Sequence, residues 1–349
     1  MPNSSFSSMV NPNPQRKVAV LGAGAWGTAL AIHLAKAGHA VTLWSYCPEQ
    51  AAAMKSTHEN SRYLSGISFP ENLMVSASLE CTIASVEAVL LVVPSNAFRG
   101  VLQAVAKYLP EGMRHVAWAT KGFEPTSQCL LHQIAFDILG KEVGATVLSG
   151  PTFASEVAKG LPTAMVSASE RECDAQYWAD MFHFDAFRMY TQTDIVGVEV
   201  GGAYKNIIAI ATGLSDGLGL GANARAALIS RGMVEMMRFA QALGAQPETL
   251  MGLAGLGDLV LTCTDDLSRN RRFGKELAKG DQTAQRIMQS LGQVVEGVKA
   301  VRIVQMMAKE IQLDLPIMEQ VYQVVSEQIS PKEAAFALLA RSGKREAKS

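Results

Sequence analysis

The sequence predicts an α/β domain followed by an all-helical domain. Up to about residue 194, short apolar runs that suit buried strands alternate with helical segments. From residue 195 onward nearly every segment has helical periodicity. A stretch rich in Ser, Asn and Pro precedes the first apolar run. We therefore expect a disordered tail over 1–15, an α/β domain over 16–194 and a helical domain over 195–343.

A glycine-rich turn gives the strongest local signal in the α/β half. Residues 18–21 suit a buried strand, and Gly22, Gly24 and Gly27 follow it and open a helix over 28–37. With a second strand at 40–44, this unit is typical of a Rossmann-like dinucleotide-binding domain. The first glycine permits the tight turn, the second lets the backbone approach a pyrophosphate, and the third lets helix and strand pack closely. The helix N-terminus then attracts the phosphates. A glycine-rich turn in a flavodoxin-like domain without cofactor is the alternative.

The end of the second strand bears on the choice of dinucleotide. An NAD-preferring domain usually carries Asp or Glu about twenty residues after the glycines. Here the residues are Trp44, Ser45 and Tyr46. No carboxylate would repel a 2′-phosphate and no Arg would attract it, so the choice between NAD(H) and NADP(H) stays open. We expect both to be used, and an aspartate at position 45 to shift preference toward NADH.

Two further apolar runs predict buried strands of the parallel type. They cover 88–93 and 115–120, and Lys121 follows the second of them. Ligands bind at the carboxyl ends of such strands, which makes Lys121 a candidate binding residue, although a solvated loop lysine is the alternative. Later strands are expected at 146–149, 163–168 and 187–190, the last two at an edge of the sheet.

The helical half contains a lysine in an apolar setting. Lys205 and Asn206 lie in VGGAYKNIIAI, between small residues and an apolar run. Burial lowers the pKa of a lysine and would make it a candidate acid or base, whereas a snorkelling side chain is the alternative. Helices are expected over 195–214, 223–243, 272–278, 296–309, 317–327 and 332–341.

A second polar stretch surrounds Ser268, a good N-cap for a helix. The run RNRR, residues 269–272, crowds the first turn of that helix. Cations are unfavourable there unless an anion binds, because the helix dipole is already positive at this end. The stretch therefore predicts a phosphate site. The alternative is a solvated basic face that contacts Asp265 and Asp266.

Composition limits the class of partner. The net charge of −1 argues against nucleic acid or an anionic membrane as a partner. Five scattered cysteines and six separated histidines indicate neither a disulfide framework nor a metal site. We find no signal-peptide pattern and no apolar run near the roughly eighteen residues of a membrane span. We expect a cytoplasmic protein with no stable membrane association and no metal.

Nine motifs can be taken together. They are GAGAWGTALA (22–31), VVPS (92–95), WATKG (118–122), SGPTFA (149–154), GGAYKNIIAI (201–210), DGLGLGANARAALI (216–229), AGLGDLVLTCT (254–264), SRNRRFG (268–274) and VVEG (294–297). In this order, the set closely resembles the bacterial-type NAD(P)-dependent sn-glycerol-3-phosphate dehydrogenase family. The motifs span nearly the whole chain after residue 16.

The resemblance implies reduction of dihydroxyacetone phosphate to sn-glycerol 3-phosphate, the backbone precursor of phospholipids. It implies that Lys205 is the general acid/base and Lys121 a second active-site lysine, and Asp258 would orient Lys205. The implied substrate positions are Lys121, Gly150, Thr152, Lys205, Asn206, Asp258, Ser268, Arg269 and Asn270. The implied cofactor positions are Gly22, Gly24, Ala25, Trp26, Gly27, Tyr46, Lys121, Ala154, Arg269, Val294 and Glu296.

Two other functions are compatible with this architecture, since fold alone does not define function. One is a hydroxyacid dehydrogenase, which would need a carboxylate pocket where SRNRRFG favours phosphate. The other is a non-catalytic nicotinamide-sensing module, which would need no lysine directed at a substrate. The oligomeric state is open, with a homodimer as one option.

Overall fold

The computed structural model describes residues 14–292 and 294–340. The chain divides into two compact units, the first ending at Glu199 and the second beginning at Val200. The predicted tail lies outside the described residues except for positions 14 and 15, and so do positions 341–343 of the predicted helical domain. The predicted division at 194/195 falls where a long helix, Ile195–Gly217 (α8), begins.

The first unit is built on an eight-stranded sheet. Its strands are β1 (Lys17–Leu21), β2 (Ala40–Trp44), β5 (Leu73–Ser76), β6 (Ala88–Leu91), β7 (His115–Trp118), β8 (Gly144–Ser149), β9 (Thr163–Ala168) and β10 (Phe187–Gln192). Their order is β10-β9-β8-β7-β6-β1-β2-β5, and only β8 and β9 pair antiparallel. A separate hairpin consists of β3 (Glu59–Asn60) and β4 (Leu64–Ser68).

The centre of the sheet is buried on both faces. Every residue of β6 and β8 is buried, and so are the last four of β1, which explains their continuous apolar sequences. In β1, Leu21 pairs with Trp44 on one side and Leu91 on the other. The three strands therefore end level, at the point where strand order reverses from β2 to β6. This switch point is where α/β sheets bind ligands.

Helices connect these strands. They are α1 (Ala25–Lys36), α2 (Pro48–Thr57), α3 (Leu79–Ile83), α4 (Ser95–Ala106), α5 (Leu131–Leu139), α6 (Ala154–Lys159) and α7 (Glu172–Phe182). One prediction needs correction. The strand at 187–190 lies at the edge as β10, but the strand at 163–168 is internal, because β10 pairs with its outer side.

The second unit consists of helices, as predicted. They are α8, α9 (Gly221–Ala242), α10 (Pro247–Leu250), a π-helical turn (Leu253–Gly257), α11 (Asp258–Thr264), α12 (Arg269–Leu277), α13 (Ala284–Leu291), α14 (Glu296–Glu310), α15 (Pro316–Val325) and α16 (Pro331–Leu339). Helix α12 begins at Arg269, which confirms the predicted N-cap Ser268, whose hydroxyl accepts from Arg271 N. The range expected from periodicity, 272–278, began three residues too late.

The sequence predicts no segment that could span a membrane, and helix α8 is an exception to that expectation. Among the described residues, it alone is long and apolar enough to do so by length and composition. However, 94% of its apolar window is buried within the protein. It is therefore a core helix, apolar on all sides because other helices surround it.

Candidate active site

The three glycine positions of the first turn require glycine for different reasons. Gly22 has φ +120°, and a Cβ there would lie 2.4 Å from Val92 O. A Cβ on Gly27 would lie 1.9 Å from Gly22 O. Next to Gly24, by contrast, a Cβ would meet no protein atom within 4 Å. Packing therefore requires Gly22 and Gly27, whereas only a ligand lying against the backbone would require Gly24.

The N-terminus of α1 is suited to an anion. Gly24 is its N-cap, no side chain caps it, and its first turn, which includes Ala25 and Trp26, has no acidic residue. Its N–H groups and dipole therefore face the open space beside Gly24 without a competing carboxylate from this turn. The residues fit the pyrophosphate of a dinucleotide.

The two candidate cofactor contacts at the end of β2 differ in their exposure to solvent. Ser45 is only 2% exposed, and its hydroxyl donates to Gln50 Oε1 at 3.1 Å. Tyr46 is 86% exposed. An aspartate at position 45 would thus be a buried carboxylate facing another acceptor oxygen, and Tyr46 is the better placed side chain for a ribose or its phosphate.

Lys121 lies close to two other predicted site residues, Gly150 and Thr152. It is half-buried, and its Nζ donates to Gly150 O at 3.4 Å, the same carbonyl that accepts from Thr152 Oγ1 at 3.2 Å. Gly150 itself has φ +154°. Lys121 is therefore not a freely solvated loop lysine. Ala154, a further predicted cofactor position, is the first residue of α6.

A buried charged cluster that the sequence did not reveal fixes the end of β7. Glu199 accepts from Trp118 Nε1 at 3.0 Å, from His132 N at 3.0 Å and from His132 Nδ1 at 2.7 Å. Burial opposes protonation of His132, but the Glu199 carboxylate outweighs it, so the pKa of His132 is raised. The cluster holds Trp118 three residues before Lys121.

In the second unit, Lys205 is buried and paired. It is 7% exposed, and its Nζ donates to Asp258 Oδ1 and, at 2.9 Å, to Thr262 Oγ1. Asp258 is fully buried, and Thr262 Oγ1 donates in turn to Asp258 O at 2.6 Å. This ammonium does not snorkel to solvent. Its role as a proton carrier held by a carboxylate stays a prediction, and the sequence did not single out Thr262.

Close packing of backbone segments places Asp258. A Cβ on Gly201 of α8 would lie 2.6 Å from Ala254 O in the π-helical turn, and one on Gly255 would lie 1.9 Å from Leu250 O. The turn therefore lies directly against α8, and α11 begins at Asp258 immediately after it. Such π-helical turns are often found at functional sites.

A chain of buried amides joins three helices of this unit. Asn270 Nδ2 donates to Asn206 Oδ1 at 2.8 Å, and Asn270 Oδ1 accepts from Gly297 N at 2.9 Å. Each residue of the chain is next in sequence to another predicted site residue. These are Lys205, Arg269 and Glu296, on α8, α12 and α14 respectively.

The basic run at α12 divides into two kinds of arginine. Arg271 is buried and ion-paired with Asp216 at 2.6 Å and with Asp266. Arg269 is exposed, and among the described residues it has no hydrogen bond or ion pair. Asp266 thus does engage the basic run, through Arg271. Arg269, beside the capping Ser268, stays a predicted anion-binding residue.

The remaining predicted cofactor positions lie around the start of α14. Val294 is 41% exposed, and Glu296 is the first residue of the helix, 3.6 Å from Lys299 Nζ. Desolvation by the surrounding protein lowers the pKa of Arg269, and the charge of Glu296 opposes this shift. Within residues 14–292 and 294–340, no group of three His, Cys, Asp or Glu could hold a metal ion.

Fold and site together define a class of protein. A sheet of this topology with an anion-ready glycine turn is a nicotinamide dinucleotide-binding unit, and a buried lysine paired with a carboxylate is a group that can donate a proton. The class is that of two-unit dehydrogenases dependent on a nicotinamide cofactor.

Comparison with known proteins identifies the member of this class. The family models for the N-terminus and C-terminus of NAD-dependent glycerol-3-phosphate dehydrogenase match residues 17–175 and 194–336. The chain belongs to the NAD-dependent glycerol-3-phosphate dehydrogenase family. The resemblance, the fold class and the nicotinamide cofactor expected from the sequence are thereby confirmed.

Individual relatives agree over nearly the full length. A glycerol-3-phosphate dehydrogenase [NAD(P)+] of Hydrogenovibrio crunogenus is 61% identical over 340 residues, covering 97% of this chain and 99% of the relative. One of Pseudoalteromonas translucida is 50% identical over 330 residues, covering 94% and 98%. The crystal structure of glycerol-3-phosphate dehydrogenase from Coxiella burnetii aligns with TM-score 0.90 and 43% identity, covering 94% of this chain and 99% of that chain.

Proposed function

We propose that this enzyme interconverts dihydroxyacetone phosphate and sn-glycerol 3-phosphate with NAD(H) or NADP(H), and so supplies the glycerophospholipid backbone. Membership of the family supports the overall reaction. The observation that carries the mechanism is the buried Lys205, held by Asp258 and Thr262. A buried lysine held in one position by a carboxylate is a group suited to transfer a proton.

Lys205 moves the proton of the reaction. When bound, the cofactor would supply a hydride to the ketone carbon, and the carbonyl π electrons would move to oxygen as negative charge. Lys205 Nζ donates a proton to that oxygen and becomes neutral, and in the reverse direction it takes the proton back. Asp258 and Thr262 hold Nζ in one position and stabilise its charged form. Lys121 keeps the role that the resemblance implies, a second active-site lysine.

The substrate phosphate binds at the start of α12. Arg269 contributes a guanidinium that has no hydrogen bond or ion pair among the described residues, and the helix N-terminus capped by Ser268 contributes N–H groups. The phosphate is remote from the reacting carbon, so its binding energy positions the ketone without changing in the reaction. The resemblance adds the substrate positions Asn206 and Asn270 in the second unit and Gly150 and Thr152 in the first.

The cofactor binds at the glycine turn of the first unit. Gly22, Gly24 and Gly27 shape the pyrophosphate site, with Ala25 and Trp26 in the first turn of α1. Tyr46 meets the adenosine ribose, and its neutral side chain accepts NADH and NADPH alike. The resemblance adds the positions Lys121, Ala154, Arg269, Val294 and Glu296.

We infer the roles of the two domains and the cellular location of the protein from the sequence. Residues 16–194 form the cofactor domain and residues 195–343 the substrate domain. The protein works in the cytoplasm without stable membrane association, and without nucleic acid as a partner, in keeping with its net charge of −1. A homodimer is one option for its assembly.

The reaction is tested with purified protein by following oxidation of NADPH and NADH. Dihydroxyacetone phosphate should be reduced with either cofactor. A hydroxyacid dehydrogenase would instead reduce a 2-keto acid, and a sensing module would bind cofactor without turnover. Either result would exclude the proposed reaction.

A further inference from the structure

Two side-chain amides meet on one carbonyl behind the glycine turn. Gln50 Nε2 donates to Ala23 O at 2.8 Å, and Asn60 Nδ2 donates to the same oxygen at 3.0 Å. Asn60 is 1% exposed and also donates to Thr28 Oγ1 at 2.8 Å. Gln50 comes from α2 and Asn60 from the β3–β4 hairpin, so two elements outside the motif converge on one peptide group.

That peptide group links Ala23 to Gly24. Its orientation decides whether a ligand faces the N–H or the carbonyl oxygen. No peptide bond among the described residues is cis, so the carbonyl of Ala23 and the N–H of Gly24 point in opposite directions. With the carbonyl held by the two amides, the N–H points away from them. Within the described part of the chain this N–H has no acceptor, and the space beside Gly24 is open.

We propose that Gln50 and Asn60 are positioning residues of the cofactor site, which hold the Ala23–Gly24 peptide so that its N–H donates to the dinucleotide pyrophosphate. The proposal rests on the cofactor site proposed above. Neither residue touches the cofactor. Their effect is to prevent the peptide from rotating and presenting its carbonyl oxygen to an anion, which would turn attraction into repulsion.

The same hydrogen bonds continue to the end of β2. Gln50 Oε1 accepts from Ser45 Oγ at 3.1 Å, and Ser45 Oγ accepts from Cys47 N at 3.3 Å. Gln50 therefore has a fixed rotamer, with its acceptor turned toward Ser45 and its donor toward Ala23. The turn after β2 therefore also holds Gln50, the residue that orients the glycine turn, in addition to contacting the ribose.

The test removes each donor without adding charge. Gln50→Met and Asn60→Leu keep side-chain size, and binding of ADP-ribose is measured by calorimetry, with neither substrate nor nicotinamide present. Each variant should weaken the affinity for ADP-ribose about tenfold or more, as expected for an ill-directed hydrogen bond to a charged group. The KM for NADPH should rise by a similar factor while kcat falls less.

Asn72 provides a matched control for loss of stability. Its Nδ2 also donates to two backbone carbonyls, Ala35 O and His39 O, both at 2.7 Å, at the opposite end of α1. Asn72→Leu should lower the melting temperature and leave ADP-ribose binding unchanged. Gln103→Met, on an exposed position of α4, controls for the chemical change itself.

Each outcome decides the question. Wild-type affinity in folded Gln50→Met and Asn60→Leu would overturn the proposal, and so would equal weakening by Asn72→Leu. Should Asn60→Leu fail to fold, Gln50→Met decides, because Gln50 is only half-buried. Failure of the wild-type protein itself to bind ADP-ribose would instead overturn the cofactor site and this proposal with it.

Discussion

The glycine turn and the start of α12 both suit an anion, but they are stabilised in different ways. At the glycine turn the proposed ligand-facing groups are backbone N–H groups, and the neutral amides of Gln50 and Asn60 hold the Ala23–Gly24 peptide. At α12 the proposed ligand-facing group is the guanidinium of Arg269, and a part-buried ion pair between Arg271 and Asp216 holds the helix that carries it. The first site depends on backbone geometry, whereas the second depends on charge. Changes of charge should therefore have large effects in the second unit and changes of shape in the first.

The largest effect on activity should come from Lys205→Met. Loss of the proton donor should lower kcat by about two to four orders of magnitude. Binding of ADP-ribose, which depends on the glycine turn, should be unchanged in calorimetry. A variant that binds cofactor normally and still turns over near the wild-type rate would show that Lys205 is not the proton donor.

Arg271→Met should have the largest effect on stability. It removes a buried guanidinium and leaves the part-buried Asp216 with Arg225 as its remaining cation, at 2.9 Å, and should reduce the free energy of unfolding by about 3 kcal/mol. Urea unfolding at neutral pH measures this. The preference for dihydroxyacetone phosphate over dihydroxyacetone should hardly change. A large loss of that preference would mean that Arg271, and not Arg269, binds the phosphate.

Arg269→Ala should cost roughly 2 to 4 kcal/mol in kcat/KM for dihydroxyacetone phosphate. It should leave unfolding nearly unaffected, since this side chain is exposed. Dihydroxyacetone lacks the phosphate, so the same variant should reduce it no more slowly than the wild type does. Equal slowing of both substrates would contradict the phosphate assignment.

In the first unit, His33 should make stability depend on pH. Burial lowers its pKa from 6.5 to about 4, although its Nε2 is hydrogen-bonded to Phe182 O at 2.8 Å. The unfolded chain therefore binds this proton first as pH falls. The contribution is complete above pH 6.5 and is lost between pH 6.5 and about 4.

Urea unfolding at two pH values isolates this contribution. Between pH 7 and pH 5 the wild type should lose about 2 kcal/mol more than His33→Phe, which has no proton to bind there. His58→Gln, at an exposed position, serves as the control and should keep the wild-type difference. An equal loss in wild type and His33→Phe would place the acid sensitivity elsewhere.

The smallest effect should be a change in cofactor preference. Tyr46→Asp adds an exposed carboxylate at the end of β2 and should shift the ratio of kcat/KM values about fivefold toward NADH, roughly 1 kcal/mol. Ser45→Asp should also weaken both cofactors, because Ser45 donates to Gln50. If both variants changed only the ratio, the hydrogen bonds between β2 and the glycine turn would have no role in binding.

The sequence predicted much of the first site and less of the second. Gly22, Gly24 and Gly27 lie within six residues, and their spacing has meaning only in one local arrangement. Ser268 likewise acts within its own helix. By contrast, Asp258 is 53 residues away from Lys205, and Asp216 is 55 residues away from Arg271. The sequence supplied candidates such as Asp258 through the resemblance alone, and it offered no signal for Thr262 or Asp216.

By itself, the sequence determined the succession of elements and the identity of the fold class. Strand and helix periodicity, turn glycines and caps are properties of neighbouring residues, so they can be recognised before the chain is folded. Only the tertiary structure decided that Arg271 is ion-paired whereas Arg269 has no ion pair among the described residues. It also decided that Ser45 is buried whereas Tyr46 is exposed. It decided as well that Gln50 and Asn60 both donate hydrogen bonds to Ala23 O. The physical reason is that burial and pairing depend on groups brought together from distant parts of the chain, where a hydrogen bond or a charge gains its strength only after water is excluded.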